Sequence, residues 1–227
     1  MSARTFLRDN GLSLAFLGLF LLTLVGQSIA GHAYETEQLA QHGAAPVGYL
    51  DYISSSSFLV DVAENWQSEF LQFFMFIFAT IWLVQRGSPE SKKPGDEGVG
   101  SDAEQLVGEF ARPDSPSWAR VRGVRLWLYS NSLLLVMGGI FLLSWLAQSL
   151  AGHVVANEEA ALHGAPAQAW AQYVVSPEFW NRTLQNWQSE FLAVGAMVTF
   201  AIFLRQRGSS ESKPVGTPHH TTSVEAD

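Results

Sequence analysis

Two ionisable side chains, a histidine and a glutamate, stand in duplicate inside repeated strings of this 227-residue chain. His32 and Glu69 recur 121 residues further on as His153 and Glu190, each inside a longer repeated string. GQSIAGH at 26–32 matches AQSLAGH at 147–153, and NWQSEFL at 65–71 returns unchanged at 186–192. An imidazole and a carboxylate held together can bind a proton or a cation, since the carboxylate stabilises the imidazolium and both groups offer lone pairs. The polar residues around them are Gln27, Ser28, Asn65 and Gln67 in the first copy and Gln148, Ser149, Asn186 and Gln188 in the second. They can supply the hydrogen bonds of such a site, or they can simply fasten helices to one another.

A metal reading starts from His-x4-Glu-x4-His, which occurs at His32/Glu37/His42 and again at His153/Glu158/His163. A five-residue spacing turns successive groups about 140° around a helix, so the three do not share a face. The Glu-x-x-His signature of di-iron bundles is absent. Glu37, His42, Glu158 and His163 therefore form only a loose ligand pattern. A haem held between His32 and His153 is the other cofactor these residues permit, and no cofactor is the default expectation. No nucleophile–base pair, phosphate-binding glycine loop or hydrolase motif is present, so an enzyme is not expected.

The elements that must position these groups are membrane-like. Charged residues make up 15% of the chain against ~25% in ordinary soluble proteins. The 48% that are hydrophobic concentrate in four stretches. Gly11–Ala30 and Leu126–Ala151 are uncharged and meet the roughly 20 residues a helix needs to cross a bilayer. Phe70–Val84 and Phe191–Leu204 reach that length through the collars that begin at Trp66 and Trp187, and tryptophan suits the headgroup layer. The spacing predicts an all-α membrane protein with spans near 11–31, 66–85, 126–151 and 187–205. Of thirteen Lys and Arg, all but Arg182 lie at the N-terminus, in the middle segment or at the C-terminal end. The positive-inside rule then puts both termini in the cytoplasm of a bacterial-type inner membrane. Ser28-Ile29-Ala30 after the first apolar run also has the form of a signal-peptidase site. Its recurrence inside the chain as Ser149-Leu150-Ala151 favours a structural motif, and intact mass decides between the two.

Asn10–Lys92 lies over Asn131–Lys213 without a gap, and 36 of these 83 pairs are identical. The chain thus reads as two tandem, parallel helical-hairpin repeats related by a pseudo-two-fold axis along the membrane normal. The first repeat is 1–92, a flexible linker 93–117 follows, the second repeat is 118–208, and 209–227 reads as a disordered tail in which His219-His220 are incidental. Each hairpin is expected to overshoot the membrane. Helices should end at His42 and His163 before capping glycines and resume near Ser55 and at Ser176-Pro177-Glu178. Counting 1.5 Å per residue down both legs places His32 level with Glu69, and His153 level with Glu190.

A net charge of −8 argues against a nucleic-acid partner, and the absence of cysteine removes disulfides, thiolate metal sites and iron–sulfur clusters. The expected partners are the lipid bilayer and either a second copy of the chain or another membrane subunit. With its repeated QSxAGH and NWQSEF blocks, the chain resembles a bacterial family of small integral membrane proteins classed as a domain of unknown function. That resemblance covers about 10–92 and 131–213; it implies four membrane helices and carries no activity. The leading function is a membrane protein with two symmetry-related polar sites at its outer face, His32/Glu69 and His153/Glu190, that bind a proton or cation; the alternative is a structural or accessory subunit whose polar cluster only locks helices.

Overall fold

The computed structural model describes residues 2–222, and every regular element among them is helical. α1 (Ala3–Asp9) leads through Asn10 into α2 (Gly11–Gln41), and α3 (Tyr49–Ile53) sits in the turn before α4 (Ser56–Trp82). Two single 3-10 turns, Gly108–Phe110 and Ser117–Arg120, precede α5 (Val124–Ser130) and α6 (Ser132–Leu162). α7 (Trp170–Tyr173) and α8 (Pro177–Phe203) complete the chain. α2 and α6 are each 31 residues long and α4 and α8 each 27, and the members of each pair begin 121 residues apart.

The helix ends follow from local chemistry that both copies share. Gly43 and Gly164 adopt φ of 70° and 67°, the left-handed conformation that glycine enters without a Cβ clash. The Ala44 N–H then reaches back to the Leu39 carbonyl at 2.9 Å, and the Ala165 N–H to Ala160 at 2.8 Å. Gly43 donates to Ala40 and Gly164 to Ala161, both at 3.1 Å, which completes a Schellman cap at each site. At the return helices Ser55 and Ser176 accept the backbone N–H of Phe58 and Phe179 at 3.3 and 3.2 Å, and Pro177 occupies the first turn of α8. Arg205 closes the other end of α8 by donating to the carbonyls of Ala201, Ile202 and Leu204.

α2 and α6 are long and apolar enough to cross a membrane, and only 6% and 17% of their most apolar windows are buried within the protein. A core helix of a soluble domain would hide those side chains; here Leu12 is 75% and Leu143 69% exposed. α4 and α8 would reach about 40 Å at 1.5 Å per residue. Their first halves carry Asp61, Glu64 and Glu69, or Glu178, Arg182 and Glu190, and neither reaches the same apolar standard. The short helices α3 and α7 were not expected, because four or five residues are too few to show a period.

The chain divides into two compact units: Met1–Val62 with Ala147–Val174, and Ala63–Leu146 with Val175–Asp227. In the second unit the segment read as a tail folds back. Lys213 is buried, its ammonium donating to the carbonyls of Gly87, Pro218, His219 and Thr221. Burial, and then the nearby Arg205 charge, lower its pKa. His219 is engaged as well: its Nδ1 donates to the Ile202 carbonyl at 3.0 Å and its ring packs on Phe203. The expected linker 93–117 holds turns and the Gly108–Phe110 helix. Residues 223–227 of the expected tail lie outside the described residues.

Candidate functional site

In the first unit the repeated His32 and His153 are each tied to a turn. His32, on α2, places Nε2 2.8 Å from the Val47 carbonyl, and His153, on α6, places Nε2 2.6 Å from the Gln168 carbonyl. The two ties span the same 15 residues. A carbonyl only accepts, so each of these ties is donated by an imidazole Nε2–H. A haem held through both Nε2 atoms does not fit this arrangement.

Around His32 the ring of Tyr49 stands edge-on at 5.5 Å and that of Tyr52 lies at 5.8 Å. Ser28 gives its hydroxyl proton to the Val25 carbonyl at 2.8 Å, so the contact of 2.7 Å with Tyr49 is donated by the phenol. In the second copy Trp170 takes the place of Tyr49, and its indole N–H donates to Ser149 at 3.2 Å. Gly31 and Gly152 admit the hydroxyl ends of Tyr52 and Tyr173, which a Cβ at either position would overlap. Those tyrosines are 3% and 1% exposed, and the sequence did carry a signal for them, since both copies have Tyr at this position. Burial first, then the charges of Asp61 and Glu35, raise the Tyr52 phenol pKa.

The remaining candidates of this unit are placed as follows. Gln27 is half-buried; Gln148 is 1% exposed, and its Oε1 has no hydrogen-bond partner. Glu37 and Glu158 are exposed. His42 and His163 meet, with ring centroids 5.9 Å apart and planes at 79°. No group of three or more His, Cys, Asp or Glu placed to hold a metal occurs among the described residues.

Glu69 and Glu190 belong to the second unit, at the start of the apolar parts of α4 and α8. Glu69 is exposed, Glu190 half-buried, and the two lie within electrostatic reach of each other. Asn65 and Gln188 are exposed. Gln67 is fully buried, and its Oε1 accepts the Trp187 indole N–H at 2.7 Å. One turn earlier Glu64 forms an ion pair with Arg182 (2.9 Å from Nε, 2.7 Å from Nη2) and also accepts from Asn186 Nδ2 at 2.8 Å. Neither Glu64 nor Arg182 was a sequence candidate. Their equivalents are Gln185 and Asp61, so a search for repeated residues passes over both.

Trp145 is the hub of an aromatic cluster in this unit, with centroids at 5.7 Å to Phe141, 6.2 Å to Phe179, 6.0 Å to Trp180 and 5.6 Å to Trp187. Its equivalent in the first copy is Leu24, so no repeat pointed to it. Trp145 Nε1, Thr183 Oγ1 and Gln67 Nε2 are buried without a hydrogen-bond partner.

These units describe an all-helical protein with two helices able to cross a membrane and two copies of a polar fastening. The chain belongs to the family described as Domain of unknown function (DUF6766), whose model matches residues 3–224. Among curated proteins and among solved structures nothing matches it.

Proposed function

We propose that the chain is a four-span integral membrane protein of a bacterial-type inner membrane, with both termini cytoplasmic, that acts as a structural or accessory subunit and not as an enzyme. In this reading α4 and α8 cross the lipid as α2 and α6 do, and the two hairpin repeats are related by a pseudo-two-fold axis along the membrane normal. Support comes from equivalent residues that meet: His42 lies against His163, and the Glu90 carboxyl is hydrogen-bonded to that of Glu211. Contact between equivalent positions is what a two-fold axis produces. The hydrogen bond requires one of the two carboxyls to carry a proton. Burial, and then the charge of Glu211, accordingly raise the Glu90 pKa.

The observation that carries the subunit reading is the matched tie of His32 to Val47 and His153 to Gln168, at 2.8 and 2.6 Å. The imidazoles of His32 and His153 each spend their N–H on holding a turn. A partner subunit, or a second copy of the chain, would dock on the scaffold so fixed. One observation favours the alternative of proton or cation binding: Glu69 and Glu190 lie within reach of each other's charge. Carboxylates at such a depth are costly unless they are neutralised or share a counter-ion.

Because the chain has no cysteine, single-Cys variants report topology directly. Ala44→Cys and Ala165→Cys should react with an impermeant maleimide from outside the cell, and Ser101→Cys and Ser210→Cys only after lysis. The opposite pattern overturns the orientation. For the role, proton uptake and sodium binding of the purified chain are compared before and after Glu69→Gln. Unchanged binding with a lowered Tm supports the subunit, whereas lost binding at unchanged Tm transfers the function to the glutamate pair.

A further inference from the structure

His42 and His163 close their helices in the same way. Each lies just past the last helical residue, and each Nδ1 lies 2.9 Å from the carbonyl four residues back, Gln38 for one and Glu159 for the other. A carbonyl cannot donate, so both Nδ1 atoms carry the proton and both Nε2 atoms hold their lone pair. This is opposite to the state of His32 and His153. A backbone carbonyl that fixes one ring nitrogen is also how proteins orient a metal-ligating imidazole. The two rings are exposed and their centroids are 5.9 Å apart. A zinc ion at about 2.0–2.1 Å from two Nε2 atoms separates the ring centroids by roughly 5–6 Å.

From this geometry we infer that His42 and His163 form a two-imidazole site for a divalent transition metal of the zinc, copper or nickel type, bridging the outer ends of α2 and α6. Imidazole nitrogen suits these borderline ions, whereas calcium and magnesium need oxygen ligands that are not gathered here. Water completes the coordination, because Glu37 and Glu158 do not join the pair to make a three-ligand group. The inference is independent of the role assigned to Glu69 and Glu190.

The test uses the full chain, purified without a histidine tag and reconstituted in lipid nanodiscs. It is dialysed against zinc, and separately against copper, beside His42→Gln, His163→Gln and His219→Gln variants. Wild type and His219→Gln should hold one ion per chain. Each of the other two variants should lose affinity by more than the roughly 10–100-fold typical of removing an outer-shell partner. Both rings are exposed, so these variants should keep the wild-type Tm without metal. Copper resonance spectra should show two nitrogen ligands in the wild type and one in His163→Gln. Equal binding by all four proteins, or a loss confined to His219→Gln, overturns the site.

Discussion

Asn157 brackets the Gln168 peptide from both sides: its Oδ1 accepts the N–H at 2.9 Å and its Nδ2 donates to the carbonyl at 3.1 Å. That carbonyl is the one His153 also holds, at 2.6 Å. In the first copy the equivalent of Asn157 is Thr36, whose buried hydroxyl has no partner. The two histidine ties are therefore alike in geometry and unlike in their support. His32→Ala withdraws the donor from the Val47 carbonyl and should cost about 1–3 kcal/mol, the range for an abandoned polar group. His153→Ala leaves Asn157 in place and should cost about 0.5–1.5 kcal/mol. Thermal melts of the two variants in one detergent check the order, and a larger loss for His153→Ala would contradict it.

The glycines facing Tyr52 and Tyr173 have no room for a side chain. Gly31→Ala and Gly152→Ala should each destabilise by about 1–3 kcal/mol, as overpacking does. The fault lies against a hydroxyl, so adding Tyr52→Phe to Gly31→Ala should recover part of the loss. Non-additive melting temperatures in this double-mutant cycle are the readout. Additive losses would place the strain elsewhere.

Tyr52 makes the fold sensitive to alkali. Its folded pKa is raised above the ordinary value of about 10, so the unfolded chain ionises first as pH rises. The stabilising contribution is complete below pH about 10 and declines above it by about 1.4 kcal/mol per pH unit, until the folded phenol itself ionises. Denaturant melts of wild type and Tyr52→Phe between pH 9 and 11 should diverge, with the variant losing less. Parallel curves would show that this ring titrates as a free tyrosine.

Thr183 is fully buried with no partner for its hydroxyl, and its equivalent in the first copy is Val62. Removing an unsatisfied buried oxygen at nearly constant shape should stabilise by about 1 kcal/mol. Thr183→Val is thus expected to raise Tm. A fall would mean that the hydroxyl holds a water or a ligand.

The sequence made some of this legible, and physics explains the division. The apolar runs of α2 and α6 stand out because twenty uncharged residues have few other uses. The caps at Gly43, Gly164 and Ser176 are written in residue types that few other positions require. The offset of 121 residues carries from letters to helices without a shift. What stayed hidden depends on long-range packing or exists in one copy only. Tyr52 and Tyr173 were visible as identities, but nothing local says that a phenol will fill the space over a glycine 21 residues earlier. Glu64, Arg182 and Trp145 face Gln185, Asp61 and Leu24 at the equivalent positions and so leave no mark in a comparison of the two copies.

That imbalance between the copies has an optical consequence. Trp145, Trp180 and Trp187 stand 5.6–6.5 Å apart in one unit, close enough for their excited states to mix. A strong, temperature-sensitive near-ultraviolet dichroism band should arise from these three indoles. Its loss would time the opening of that unit separately from the histidine-pinned one, without any introduced dye.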